Sequence, residues 1–126
     1  MSAIDKKLML LKAIEAQESA ICPYSNYPVG AALMVENNII VKGFNIESKA
    51  YPTTICAERV AIFSALSYGY KQFYCLAVAT NDGGTPCGSC RQIMHEFLGN
   101  VPIIISDSNG SYFETTTKEL LPNPFG

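Results

Sequence analysis

The chain has 126 residues, of which 48% are hydrophobic and 16% charged, enough to build one core and too apolar for a disordered segment. Nine Lys and Arg against eleven Asp and Glu leave a formal charge of −2, which excludes the basic footprint of a protein that binds long nucleic acid or an anionic membrane. The uncharged stretch Ser19–Val35 is broken by Pro23, Asn26, Pro28 and Gly30, and no basic-then-apolar leader opens the chain, so the expectation is one soluble cytoplasmic domain over residues 1–126.

Ile4, Leu8, Leu11 and Ile14 recur at helical spacing among Asp5, Lys6, Lys7 and Lys12, predicting an amphipathic helix from Ser2 to about Ala20, started by Ser2 or Asp5. Pro23 stops it, and Tyr24–Pro28 reads as a loop. Val29–Val35 and Ile39–Asn45 are β-rich runs joined by Glu36-Asn37-Asn38, a predicted hairpin. Thr53 or Thr54 is positioned to cap an Ala-rich helix over Cys56–Tyr68, which Gly69 closes. Phe73–Thr80 reads as a buried strand and Asn81–Gly84 as a turn. Pro86–Cys90 leads into a helix ending near Gly99-Asn100. Val101–Ser106 has the continuous apolar pattern of a strand covered on both faces. After the turn Asp107–Gly110 come a polar edge strand, Ser111–Thr115, and a helical turn, Thr117–Leu121. This order predicts a three-layer α-β-α sandwich around a mixed five-stranded sheet.

Five cysteines, an odd number without a secretion signal, argue against a disulfide framework and for metal or redox chemistry. Cys56 opens one predicted helix, and Cys87 and Cys90 straddle the start of the next. Helix N-termini present free N–H groups and partial positive charge, which favour thiolates. The Cys-x-x-Cys spacing lets two sulfurs share one tetrahedral ion, and parallel helices on one sheet face bring in Cys56 from 31 residues upstream. Three sulfurs with an open fourth position match a catalytic zinc site, since structural sites close all four. Glu58 then lies beside the open position, where a carboxylate relays protons from an activated water. Three thiolates on Zn²⁺ sum to −1, and Arg59 and Arg91 are expected to offset this by donating to the sulfurs.

Cys56-Ala57-Glu58-Arg59 together with Pro86-Cys87-Gly88-Ser89-Cys90-Arg91-Gln92 resembles the signature of zinc nucleoside deaminases. Pro23–Leu33, Asn45-Ile46-Glu47 and Leu120-Leu121-Pro122 extend the resemblance, in collinear order, to the small homotetrameric zinc-dependent cytidine deaminases. That resemblance implies the cytidine deaminase fold, one Zn²⁺ per chain on Cys56, Cys87 and Cys90, and hydrolytic deamination of cytidine and 2′-deoxycytidine in pyrimidine salvage. It implies that Glu58 shuttles protons to the pyrimidine N3 and then to the departing ammonia. Asn45 and Glu47 are implied to bind the ribose, and the backbone at Ala57 and Cys87 the base edge. Tyr27 stands where the family more often has Phe and stacks near the base; its hydroxyl needs a partner if buried. Phe125 resembles a residue that reaches a neighbouring subunit's site, implying a homotetramer with shared active sites. Lys49, where small or amide residues are commoner, is expected to face solvent.

Taken singly, these residues have plainer readings. Cys22 and Cys75 lack a partner at ligand spacing and read as small hydrophobic packing residues. His95, the sole histidine, reads as a surface or hydrogen-bonded structural residue. A thioredoxin-like redox domain would use Cys87 and Cys90 but leave Cys56 and Glu58 without a task, and a structural zinc module lacks a fourth ligand. A blasticidin-type deaminase shares the zinc motif. A polynucleotide substrate calls for a basic cluster the chain does not have, so the substrate class is a free nucleoside.

Overall fold

Asp5 starts the first helix, α1 (Lys6–Gln17), its carboxylate accepting from the Leu8 N–H at 3.0 Å. The computed structural model describes residues 4–126, so the alternative start at Ser2 lies outside the described residues. The buried face of α1 is not the expected stripe. Met9, Leu10, Ala13, Ala16 and Gln17 face inward, while Leu8 and Leu11 are 39% and 62% exposed. The reason is close approach: a Cβ on Gly30 would lie 2.0 Å from the Ala13 carbonyl oxygen. Only the small-residue side of α1 fits that tightly.

Strands β1 (Gly30–Val35) and β2 (Ile40–Phe44) form the predicted hairpin, with Asn37 and Asn38 both at positive φ in its turn. They join β3 (Phe73–Ala79), β4 (Pro102–Ser106) and β5 (Tyr112–Thr116) in one mixed sheet of order β2-β1-β3-β4-β5. Only β3 and β4 run parallel, and their crossover is helix α3 (Gly88–Leu98). Side chains alternate across the sheet with period two. Leu33, Leu76, Val78, Ile103 and Ile105 pack with α3 and with α2 (Ala57–Ser67) on one face. Ala32, Cys75, Ala77 and Ile104 pack with α1 on the other. These are the three expected layers; a short helix, α4 (Thr117–Leu120), ends the chain's regular structure.

The expected threonine cap of α2 is absent. Thr54 Oγ1 accepts from the Ser48 N–H at 2.9 Å, the Thr53 hydroxyl donates to the Ala50 carbonyl, and Cys56 takes the N-cap position without a side-chain cap bond. Gly30 pairs with both Phe44 and Ala79, so the ends of β2 and β3 and the start of β1 meet at one edge of the sheet. The N-termini of α2 and α3 open at that edge.

Gly43 is the tightest seam beneath α2: a Cβ there would sit 2.5 Å from both the Ala57 carbonyl oxygen and the Ala61 nitrogen. Gly43→Ala is therefore expected to cost about 2 kcal/mol or more of stability by overpacking. Urea unfolding measures it, and an unchanged midpoint would contradict the packing described.

Candidate metal centre and its pocket

Two helix starts, one from each side of β3 in sequence, bring three sulfurs together. Cys56 and Cys87 are the N-caps of α2 and α3, neither with a side-chain cap bond, and Cys90 lies in the first turn of α3. Cys56 Sγ is 3.9 Å from Cys87 Sγ, Cys87 Sγ is 3.4 Å from Cys90 Sγ, and all three lie within 4.8 Å of one another. Tetrahedral zinc with bonds of about 2.3 Å spaces its sulfurs by about 3.8 Å, so the cluster fits the ion. It is the one such group of potential metal ligands among the described residues.

A hydrogen bond from Cys90, helped by Arg59, pulls Cys56 down to about 5, whereas that same bond and burial drive Cys90 upward. A thiolate at Cys56 thus disfavours a second at Cys90. Arg59 Nη2 donates to Cys56 Sγ at 3.3 Å, as expected. Arg91 does not. Its guanidinium donates to the Pro86 carbonyl at 2.7 Å, the Leu120 carbonyl at 2.8 Å and Thr85 Oγ1 at 3.0 Å. With so many backbone acceptors near its stem, Arg91 holds the loop before Cys87 in place instead of touching sulfur.

Cys56 and Cys87 border a cavity of about 430 Å³ that is also lined by Tyr27, Val29, Asn45, Glu47, Ala57 and Glu58, a size suited to a small ligand; Cys90 is buried behind it. Glu58 is only 4% exposed, so it is not the solvated helix residue its type suggests. Burial, reinforced by the charge of Cys56, pushes its carboxyl up to about 7.

The walls are stapled loops. Bridges from Ile46 to Ile21 and Ile55 fix the segment between Asn45 and Glu47. Asn45 Oδ1 accepts from the Val29 N–H at 2.9 Å, and its Nδ2 donates to the Tyr27 carbonyl at 3.0 Å. Glu47 accepts from the Tyr24 and Ser25 N–H groups and from the Ser25 hydroxyl, which lowers its pKa and keeps it charged. The Tyr27 hydroxyl finds its partner in Asp82, at 2.6 Å. Asp82 and Thr80 escaped the sequence reading, because a turn aspartate 55 residues from Tyr27 carries no signal of that contact.

The remaining residues lie elsewhere. Phe125 is 89% exposed and outside this chain's cavity, its backbone N–H and carbonyl both held by the Gln92 amide. His95 lies on the far side of α3, with Nε2 3.4 Å from the Gly126 carbonyl oxygen. Lys49 is exposed, Cys75 fully buried and Cys22 half-buried, so the packing role expected for Cys22 is only partial. No helix among the described residues is long and apolar enough to cross a membrane.

Residues 3–105 match the family model of the cytidine and deoxycytidylate deaminase zinc-binding region. Over 125 residues the chain is 43% identical to a cytidine deaminase of Sporosarcina psychrophila, spanning 97% of this chain and 92% of that one. The fold matches the crystal structure of cytidine deaminase from Burkholderia pseudomallei with a TM-score of 0.92 at 36% identity, covering 97% of this chain and 100% of that one. A blasticidin-S deaminase of Bacillus cereus is also similar, at 30% identity over 78% of this chain and 76% of that protein.

If the sulfurs hold the ion, Cys90→Ser loses it. Metal analysis of the purified protein should fall from about one zinc per chain to a small fraction, with a lower melting temperature; full retention would remove Cys90 from the site.

Proposed function

Since the chain belongs to the cytidine and deoxycytidylate deaminase zinc-binding family, we propose that it is a cytidine deaminase, converting cytidine and 2′-deoxycytidine with water to uridine and 2′-deoxyuridine and ammonia. The observation that carries this reading is the buried Glu58 sharing one cavity with Cys56 and Cys87, two of three clustered sulfurs placed to grip a single ion. Cys56, Cys87 and Cys90 hold the zinc, which when bound supplies the Lewis acidity that makes water nucleophilic at neutral pH.

Glu58 moves the protons. Its carboxylate takes one from the attacking water and delivers it to N3 of the pyrimidine as the oxygen adds to C4. The same carboxyl then carries the hydroxyl proton to the amino group, the C4–N bond breaks, and ammonia leaves. Burial suits the residue to both halves of this task, because it raises the carboxyl's pKa toward neutrality, where its acid and base forms are both accessible. Tyr27 flanks the base, and the backbone at Ala57 and Cys87 meets its edge. Asn45 and Glu47 face the sugar, where the ionised Glu47 accepts hydrogen bonds from ribose hydroxyls. Arg59 tempers the charge on Cys56 and so preserves the electrophilicity of the ion.

The Cys87–Cys90 pair is not read as a redox motif, since Cys56 lies within the same sulfur cluster and Glu58 would then serve nothing. The family match and the missing basic cluster favour nucleosides over polymers. A blasticidin-type substrate is the second reading, supported by the weaker similarity. We place the enzyme in cytoplasmic pyrimidine salvage, as a homotetramer in which the exposed Phe125 of each chain completes a neighbour's site. The outward Leu8, Leu11, Phe63 and Tyr68 side chains offer apolar surface for such contacts.

Ammonia release from cytidine, deoxycytidine, cytidine monophosphate, adenosine and blasticidin S separates these alternatives; turnover of blasticidin S in preference to cytidine would reverse the choice. Glu58→Gln should retain zinc and fold while losing at least about a hundredfold in kcat, and undiminished turnover with zinc retained would remove its role. A monomer by sedimentation with full activity would refute the shared site.

A further inference from the structure

Tyr27 is the aromatic wall of the cavity, its half-buried ring projecting from a loop. It follows Asn26, which sits at φ 56°, and precedes Pro28. A ring in that setting loses rotational freedom when a ligand packs against it, and that loss weakens binding unless the ring is fixed beforehand. Here it is fixed. The Tyr27 hydroxyl donates to Asp82 Oδ1 at 2.6 Å. The same oxygen accepts from the Gly84 N–H at 3.1 Å and from the Thr80 hydroxyl at 3.2 Å, and the Gly84 N–H is shared with Thr80 Oγ1 at 2.8 Å.

Gly84 is shaped for this seat. A Cβ there would lie 2.6 Å from the Tyr27 hydroxyl and 3.3 Å from Asp82 Oδ1. Thr80 directly follows β3, and Gly84 leads to Cys87, so the hydrogen bond ties the Tyr27 loop to the loop carrying a proposed metal ligand. Burial and the Asp82 carboxylate raise the Tyr27 phenol above its ordinary range, keeping it a donor, while the bond lowers Asp82. A phenylalanine would fill the same ring position without the tie.

We propose that Asp82 is a positioning residue for the base side of the pocket: through Tyr27 it presets the ring against which the pyrimidine packs, so that it governs substrate affinity and not the chemical step. This rests on the nucleoside deaminase reading above. Steady-state deamination of cytidine by the zinc-loaded full chain tests it, with kcat expressed per bound zinc. Tyr27→Phe and Asp82→Ala are each expected to raise KM about three- to tenfold, the range of one lost hydrogen bond, with kcat within about twofold. Asp82→Asn, which keeps an acceptor, should restore most of the affinity. The double variant Tyr27→Phe/Asp82→Ala should be no worse than the worse single one.

Single effects that multiply in the double variant, an unchanged KM in Asp82→Ala, or a fall in kcat alone would each overturn the proposal. If the wild-type chain holds its zinc and releases no ammonia from cytidine, the substrate reading fails and the tie is tested without it. Ultraviolet difference titration against Tyr27→Phe isolates the Tyr27 phenol; ionisation at lower pH in Asp82→Ala supports the tie, and ionisation at the same pH overturns it.

Discussion

Three sulfurs crowded within 4.8 Å are the arrangement on which the rest depends. Thiolates so close repel one another. Partial positive charge at the starts of α2 and α3 and the Arg59 guanidinium offset part of that repulsion, and a divalent ion held there would offset the rest. The absence of side-chain caps at Cys56 and Cys87 fits the same arrangement: cysteines stand at the N-cap positions of both helices and leave their sulfurs free to face one another.

Convergence of the helix starts is a packing result. Gly30 and Gly43 have no room for a Cβ, and Ala13, Ala57 and Ala61 supply the matching small surfaces. Helices therefore sit close on both faces of β1 and β2, and the position of α2, hence of Cys56 and Glu58, is set against the sheet to within the tolerance of a methyl group. Burial of Glu58 follows directly. An acidic residue beside a helix start is normally solvated and strongly ionised; enclosed between the sheet edge and the sulfurs, it has its proton affinity raised toward neutrality.

Around that rigid base the pocket walls are loops, and each is pinned by side-chain hydrogen bonds to backbone or to another side chain. Asn45 holds the Tyr27–Val29 segment, Glu47 the Tyr24–Ser25 turn, Asp82 the Tyr27 ring, and Arg91 the approach to Cys87. Preorganised walls lower the ordering cost that a small polar substrate would otherwise bear. Asn45 and Glu47 thus have two tasks in the proposed enzyme, bracing the loops and facing the sugar.

Much of this was legible in the order of residues. Alternating apolar runs, turn asparagines and glycines, and the spacing of Cys56, Glu58, Cys87 and Cys90 are local patterns with local physical meanings, and they determined the layers, the sheet and the metal-binding chemistry. What failed was long-range. The buried face of α1 depends on how closely Gly30 lets the helix approach, the partners of Arg91 on where Leu120 and Pro86 lie, and the Tyr27–Asp82 contact on two loops meeting across the sheet edge. Thr53 and Thr54 had the composition of a cap and were engaged by the preceding loop instead. By itself the sequence determined which chemistry the chain can perform, because ligand type and spacing are written in it. Only the tertiary structure decided which side chains brace that chemistry, because hydrogen-bond partners are chosen by distance in space.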